Sequence, residues 1–349
     1  MNKRGRGAAR LFAVAVFLPI LAFPQFSCST APPPPSAGAS AAGAATGAGG
    51  TTLKTAEPSA LSRSQDERRA IELAIVAGAP SSLARSFGLI GEARALKLED
   101  ARLLAWIGAR VAALVYPEGA EAFVPADLRG QAEIPSSPLA RSLADAAAGR
   151  SPAPSPELEG NPLAELIPAL VAFRSESRES ARRAAEALDR FEKLGSPSVL
   201  PALIRGLDAE RLQERGRALT QYDLAIVAAP DCWPAAVGAA RVLLALRRPE
   251  EALARLDAAE KAAGPAVGAY ATFRKARAET LYESGRLAEA EPLVLGILRE
   301  DPLDSRFVLA RAHLLVRAKS YQQAIPLLDA YATVDPANRR LLVLRALAA

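Results

Sequence analysis

Few residues in this sequence could carry out catalysis, and the first of them is a single histidine. His313 is the only histidine among 349 residues, so a Ser-His-Asp or Cys-His arrangement would have to use it. The sequence contains neither a GxxxxGK[ST] nor a GxGxxG phosphate loop, and no cluster of His, Cys and carboxylate residues at metal-ligand spacing. A glycosidase-like pair of carboxylates cannot be recognised from sequence. We therefore predict a non-catalytic protein without a cofactor or a metal.

The two cysteines lie in very different surroundings. Cys28 follows a basic N-terminus and the 13-residue apolar stretch LFAVAVFLPILAF, residues 11–23, which is short for a membrane span. This pattern predicts an export signal over residues 1–27. Cys232 would have no cysteine partner in the mature chain, so we expect a buried, reduced thiol there.

The sequence PQFSCST around Cys28 resembles the lipoprotein signals of bacteria, with the small Ser27 before the cysteine. The resemblance implies a mature protein that begins at a diacylglyceryl-Cys28 and is anchored to a bacterial membrane, facing the periplasm. The alternative is ordinary signal-peptidase cleavage between small residues, with Cys28 discarded. Residues 29–52 have no charge and no large side chain, so residues 28–58 are predicted to be a disordered tether.

Composition predicts an all-α protein that does not bind nucleic acid. Half of the residues are apolar but only 5% are aromatic, and much of the apolar content is alanine, which favours closely packed helices. The net charge is +5, but four of the 43 basic residues lie in the first ten positions and 38 residues are acidic. The chain after the export signal is therefore about neutral, and no run of five like charges occurs there.

A set of three residues recurs every 34 positions in the second half of the chain. Within each set the spacing of four and then three residues places all members on one helix face. The period is interrupted once by four extra residues, assigned to the turn KAAGPAVG at 261–268. The sets are Ala184, Leu188 and Phe191; Ala218, Tyr222 and Ala225; Ala252, Leu256 and Ala259; Ala290, Val294 and Ile297; Ala324, Leu328 and Tyr331.

Other residues complete the repeated unit. Each preceding helix contributes a small and a large residue, Gly285 suits the turn between two helices, and Pro302 and Pro336 end the second helix. With this period and these positions, residues 163–349 resemble the tetratricopeptide repeat. The resemblance implies an all-α, tetratricopeptide-type helical-hairpin solenoid with a C-terminal capping helix, preceded by a less regular helical region. The small and large pairs are Ala240 and Leu243, Ala278 and Leu281, and Ala312 and Leu315.

In tetratricopeptide proteins, outward positions of the first helices line a groove that binds other proteins. Carried over to this sequence, they form a mixture of basic and apolar side chains that fits an extended peptide of acidic character. Alternatively, these charges are only a solvated face. The positions are Val237, Arg241, Lys275, Glu279, Tyr282, Arg306, Leu309, His313 and Arg317.

Residues 59–162 predict helices without a 34-residue match. Three apolar-patterned segments span 66–78, 81–96 and 98–116, and a short helix is predicted at 137–149 between Pro-rich turns. The third segment is apolar but broken by Arg102 and Arg110, which favours a buried helix over a membrane span.

The sequence thus predicts a membrane-tethered, non-catalytic protein-interaction scaffold in bacterial envelope assembly or maintenance. Its partners would be envelope proteins or peptides in the groove. Two alternatives stay open: a small-ligand or glycan-binding protein with an apolar pocket near Trp106, and a hydrolase using carboxylates of 117–162. The closing segment NRRLLVLRALAA is apolar on more than one face, which suggests self-association through Leu342 and Leu344.

Overall fold

The computed structural model describes residues 60–116, 118–129, 133–148, 150, 153, 155–172 and 178–349. The export signal, Cys28 and the tether predicted at 28–58 lie outside these residues. The described chain belongs to one compact unit, Glu57–Ala349, and its regular elements are all helical. The N-terminal α-helices are α1 (Ala60–Ala77), α2 (Pro80–Glu92), α3 (Leu98–Val115), α4 (Ala120–Phe123) and α5 (Pro138–Ala147), with short 3-10 turns at Ala126–Leu128 and Pro156–Leu158.

The second half of the chain consists of helical hairpins. Five hairpins follow one another, and each second helix also packs against the first helix of the next hairpin. The predicted all-α hairpin array, preceded by a less regular helical region, is confirmed. Its helices are α6 (Pro162–Ala172) and α7 (Arg178–Lys193); α8 (Leu200–Arg211) and α9 (Arg215–Ala228); α10 (Trp233–Ala245) and α11 (Pro249–Ala263); α12 (Ala271–Glu283) and α13 (Leu287–Glu300); α14 (Ser305–Arg317) and α15 (Tyr321–Ala332); and the single α16 (Arg339–Ala348).

The repeated residues form the inner face of each second helix. All fifteen members of the five sets, from Ala184 to Tyr331, are at most 3% exposed. The four extra residues lie where the sequence placed them, because a 3-10 turn at Pro265–Ala269 separates α11 from α12. The 34-residue period therefore corresponds to residues that are buried at equivalent positions in successive hairpins.

The turn inside each of the last four hairpins contains one residue in the left-handed backbone region. The φ angles are 60° at Gln213, 62° at Arg247, 78° at Gly285 and 57° at Lys319. The turn role predicted for Gly285 is confirmed. At the other three positions a side chain occupies a conformation that costs about 1 kcal/mol without glycine, so the turn geometry is imposed by the packing of the two helices.

The α8–α9 and α10–α11 hairpins each contact the next hairpin through a large side chain flanked by two small residues. In the α8–α9 hairpin this side chain is Tyr222, and a Cβ added to Gly206 or Gly238 would come within 2.6 Å or 2.4 Å of its ring. One unit later, the equivalent positions are Ala240, Leu256 and Ala276, all of them buried. Here the central side chain is smaller than tyrosine, and the two flanking residues are larger than glycine. Local volume is thus balanced between the three positions.

The less regular N-terminal helices share their core with the array. One cluster of buried apolar residues runs from Ile71 in α1 to Ala276 in α12. At its centre the Tyr116 ring lies 6.2 Å from that of Trp233, and its hydroxyl donates to the Gly78 carbonyl at 2.7 Å. Cys232 beside it is fully buried and free, as predicted, and burial raises the pKa of its thiol to about 11.

The apolar residues of α3 and α16 differ in their surroundings. Helix α3 is buried over most of its length, as expected, and none of the described helices combines the length and apolarity needed to cross a bilayer. In α16, Leu341 and Leu344 are 0% and 3% exposed and belong to the chain's own core, whereas Leu342 is 50% exposed. The expectation that Leu344 lies on a self-association surface is therefore wrong.

Replacement of Gly238 by Ala is expected to destabilise the fold by about 1–3 kcal/mol, because the new Cβ overlaps the Tyr222 ring. Urea unfolding followed by circular dichroism measures the effect. The control is Gly296→Ala on α13, where a Cβ meets no atom within 4 Å and a gain of up to about 1 kcal/mol in helix propensity is expected. Equal effects at the two positions would show that Tyr222 does not limit helix approach.

Candidate functional site: a cleft across the first helices

Five of the nine predicted groove residues surround one cleft of about 340 Å³. The cleft, here called the first-helix cleft, lies across α10, α12 and α14, the first helices of three successive hairpins. Glu118, from the segment before α4, also reaches it. The lining consists of Glu118, Val237, Arg241, Thr272, Lys275, Ala276, Glu279, Asp304, Arg306 and Phe307.

Arg241 is fixed on one wall by a carboxylate that the sequence did not indicate. Its Nε and Nη2 donate to the two oxygens of Glu210 at 2.8 and 2.9 Å, and the Tyr222 hydroxyl donates to the same carboxylate at 2.6 Å. Burial raises the pKa of Glu210, but the hydrogen bonds and charge of Arg241 outweigh burial and leave that pKa below its ordinary value. Arg241 is therefore fixed in position by Glu210, which the hydroxyl of the buried Tyr222 in turn orients.

The other two cations of the cleft are also paired. Lys275 Nζ lies 2.8 Å from Asp304, which in turn caps α14 by accepting from the backbone N–H of Arg306 at 3.2 Å. Arg306 pairs with Glu279, whose pKa is raised because burial outweighs the Arg306 charge. The three cations of the predicted basic groove are thus each paired with a carboxylate.

Two apolar residues of the predicted set lie below the surface. Val237 is 2% and Leu309 6% exposed. Val237 still contributes to the cleft, whereas Leu309 belongs to the apolar cluster between α14, α15 and α16. Neither presents a large apolar surface to a partner.

Tyr282, His313 and Arg317 lie toward the C-terminal end of the array. The Tyr282 hydroxyl contacts both His313 Nδ1 and Arg340 Nη2, and the guanidinium carbon of Arg340 lies 5.2 Å from the centre of the tyrosine ring. A neutral His313 either accepts the hydroxyl proton at Nδ1 or donates an Nδ1 proton to the hydroxyl oxygen, which has two lone pairs and can also accept from Arg340. This cluster joins α12, α14 and α16. Arg317 is exposed.

The cleft has the chemistry of a recognition surface. It offers guanidinium and ammonium groups, carboxylates and one threonine hydroxyl, all of which bind polar groups reversibly. His313 lies outside this cleft, where its Nδ1 shares a hydrogen bond with the Tyr282 hydroxyl. Among the described residues, no group of three His, Cys, Asp or Glu side chains could hold a metal ion. The volume of the first-helix cleft is at the lower limit for small-molecule sites and suits one or two side chains of a partner.

The N-terminal half contains the clefts relevant to the two alternative functions. Trp106 is 3% exposed and belongs to the core, and the neighbouring pocket, lined by Ala109, Arg110 and Val124, measures only about 270 Å³. A larger cleft of about 450 Å³ separates α1 from the start of α6. In 117–162 the acids Glu118, Glu121 and Glu159 line three different clefts, so they do not form a carboxylate pair.

The partners of Arg241, Thr272 and Tyr282 are what sequence reasoning missed. Glu210, Glu118 and Arg340 lie in different elements from the residues they contact, and their spacing carries no repeat signal. Asp304 could have been found, since an aspartate just before a helix is a typical N-cap.

Comparisons with known proteins give little. No family model matches the chain, and no curated protein does. Among solved structures, the chain is similar to the crystal structure of the TPR domain of P58(IPK), with 16% identity, 80% of this chain and 76% of that chain covered, and a TM-score of 0.29. With so low a TM-score, nothing about this chain is drawn from the likeness.

Acidification is expected to weaken the cluster of Tyr282, His313 and Arg340. Burial, then the charges of Arg340 and Arg317, lower the pKa of His313 from its ordinary 6.5. The unfolded chain therefore takes up this proton first, and stability falls as the pH drops below about 6.5 until the folded-state pKa is passed. Between pH 7.5 and 5 wild type should lose about 0.5 kcal/mol more than His313→Gln in urea unfolding, allowing for solvent screening. Parallel pH curves for the two proteins would contradict this.

Proposed function

We propose that this chain is a membrane-tethered, non-catalytic scaffold of the bacterial cell envelope that binds other envelope proteins or peptides through the first-helix cleft. The observation that carries the proposal is the convergence of α10, α12 and α14 on one open cleft whose walls are charged and whose floor is Val237 and Phe307. Successive hairpins of one array supply the walls. A partner segment lying across them would contact several repeats at once, which is how an extended peptide is bound without a deep pocket.

The charge pattern favours a polar partner segment over an acidic one. Arg241, Lys275 and Arg306 each have a carboxylate within ion-pairing distance. An incoming acidic group would compete with Glu210, Asp304 or Glu279, whereas amides and mixed charges can bind beside the existing pairs. We infer that the cleft recognises backbone and polar side-chain groups.

The membrane tether and the envelope location rest on the sequence alone. The proposal is supported by the apolar segment 11–23, by the small residues around Cys28 and by the uncharged residues 29–52. A flexible coil of about 30 residues reaches on the order of 30 Å, which separates the helical body from a membrane surface. Lipidation at Cys28 would anchor the N-terminus, facing the periplasm.

A small-ligand or glycan-binding role is the second candidate. It is favoured by the cleft of about 450 Å³ between α1 and the start of α6, with Gln65, Glu72 and Asn161 among its polar groups and Leu73 among its apolar ones. Polar groups beside apolar surface are typical of sugar and small-ligand sites. The scaffold role is preferred because its cleft is built from the repeated helices themselves.

Replacement of Thr272 by Trp is expected to block the first-helix cleft without removing any charge. Immobilised wild type and variant would be compared for proteins captured from detergent-solubilised envelopes of the source cells. The control is Ala258→Trp, which places the same bulk at an exposed position of α11. A partner lost only with Thr272→Trp, identified by mass spectrometry and rebound as purified protein, supports the proposal. Identical capture by both variants removes the cleft from consideration.

Replacement of Cys28 by Ser is expected to prevent acylation and to release the protein from the membrane fraction. Intact-mass measurement of the membrane-extracted wild type should show a diacylglyceryl group on an N-terminal Cys28. An unmodified N-terminus beyond residue 28, with unchanged fractionation of Cys28→Ser, would instead support ordinary signal-peptidase cleavage.

A further inference from the structure

The cations along the first helices differ in their pairing. Arg241, Lys275 and Arg306 in the first-helix cleft each face a carboxylate. Arg317 at the end of α14 and Arg340 at the start of α16 are exposed, and neither forms an ion pair with any residue that the structure describes. Of these five cations, the two without a carboxylate partner therefore lie at the C-terminal end of the array.

The charges of Arg317 and Arg340 both affect the pair formed by Tyr282 and His313. Arg340 is held over Tyr282 by a hydrogen bond to its hydroxyl and by the ring contact at 5.2 Å. Arg317 lies one helical turn after His313 and so on the same face of α14. Both charges lower the pKa of His313, and Glu283 is the acidic group that acts on Tyr282. Arg340 therefore contacts the Tyr282–His313 pair directly, and Arg317 lies one turn further along α14.

Two exposed apolar residues continue this surface along α16. Val343 and Leu347 are three and seven residues after Arg340, so they lie on its face of the helix. They are 59% and 60% exposed. The opposite edge of α16 is occupied, because Arg345 pairs with Asp329 of α15 at 2.8 Å. The face that carries Arg340, Val343 and Leu347 is therefore the open one.

The repeat register connects this surface to the cleft. Val343 and Leu347 occur 34 residues after Leu309 and His313, which in turn follow Lys275 and Glu279 by 34. The equivalent positions thus run from α12 through α14 to α16. They change from the paired Lys275 and Glu279 to the buried Leu309 and to His313, and then to the exposed Val343 and Leu347.

We infer that this surface, the arginine corner formed by Arg317, Arg340, Val343 and Leu347, binds an acidic side chain of a partner segment flanked by apolar side chains. The inference rests on the proposed function, whose partner segment would extend from the cleft onto the corner. Guanidinium groups pair with carboxylates through parallel hydrogen bonds, and Val343 and Leu347 lose water on contact with apolar side chains. A second copy of the chain is a poor occupant, because a stable dimer needs about 800 Å² from each partner and this face offers few apolar side chains.

The test uses the full chain and two synthetic peptides, acetylated and amidated so that no terminal charge contributes. One is Ser-Gly-Leu-Asp-Leu-Asp-Leu-Gly-Ser, and the other has Asn in place of both Asp. Isothermal titration calorimetry should show that the Asp peptide binds at least about tenfold more tightly than the Asn peptide, with an affinity that falls as salt is added. Arg317→Gln should reduce the preference for Asp about tenfold, and Leu347→Ser should weaken both peptides.

Arg345→Gln is the matched control, since it removes the same charge from the opposite edge of α16 and should leave binding of both peptides unchanged. Equal binding of the two peptides, no binding of the Asp peptide up to about 1 mM, or an unaltered preference in Arg317→Gln would each overturn the inference. Concentration-dependent dimerisation in sedimentation velocity that Leu347→Ser abolishes would also overturn it, in favour of a second copy.

The two proposals fail separately. If Thr272→Trp abolishes partner capture while neither peptide binds, the arginine corner is not a site and the first-helix cleft still is. If the Asp peptide binds through Arg317 but Thr272→Trp changes no capture, the corner binds acidic segments without the cleft.

Discussion

The close approach of neighbouring first helices is the constraint on which the array depends. In two successive layers, one large side chain from the second helix separates them, with small residues on both sides. In one layer this is Tyr222 between Gly206 and Gly238, and in the next Leu256 between Ala240 and Ala276. The sum of the three volumes decides how closely two hairpins can pack. Because a smaller central side chain is matched by larger flanking residues, the two layers keep the same helix spacing with different residues.

This packing also determines the chemistry of the first-helix cleft. Tyr222 is long enough to pass between two glycines and to present its hydroxyl to Glu210, which a leucine at the same position could not do. Glu210 in turn orients Arg241 through two hydrogen bonds. A polar group on the surface is thus positioned by a core residue, and the glycine pair in the interior is part of the reason that Arg241 points as it does. Core and surface cannot be varied independently in this layer.

Sequence periodicity predicted the helix packing well but did not predict the ion pairs of the groove. A helix register depends on residues a few positions apart, so Ala290, Val294 and Ile297 were sufficient to place an inner face, and all three are buried. The charge of the groove depends on contacts between elements, such as Arg241 with Glu210, 31 residues away, and Glu118 with the backbone of Thr272, 154 residues away. The sequence pattern of one helix cannot predict such pairs, because each of them joins residues of different elements. The same limitation applies to α16, where the apolar pattern did not reveal that Leu341 and Leu344 face inward while Val343 faces out.

The end of the large apolar cluster within α12 has a consequence for cooperativity. The large apolar cluster that begins at Ile71 ends at Ala276, and the buried residues beyond it form three small separate clusters around Ala290, Ile297 and Leu328. In a chain of stacked units, free energy passes between neighbours only through their shared interface. We therefore expect the helices beyond α12 to open at a lower free energy than the rest of the body, and their amide hydrogens to exchange faster than those of the N-terminal helices. The end of the molecule that carries Arg317 and Arg340 is thus the end that can rearrange without unfolding the remainder.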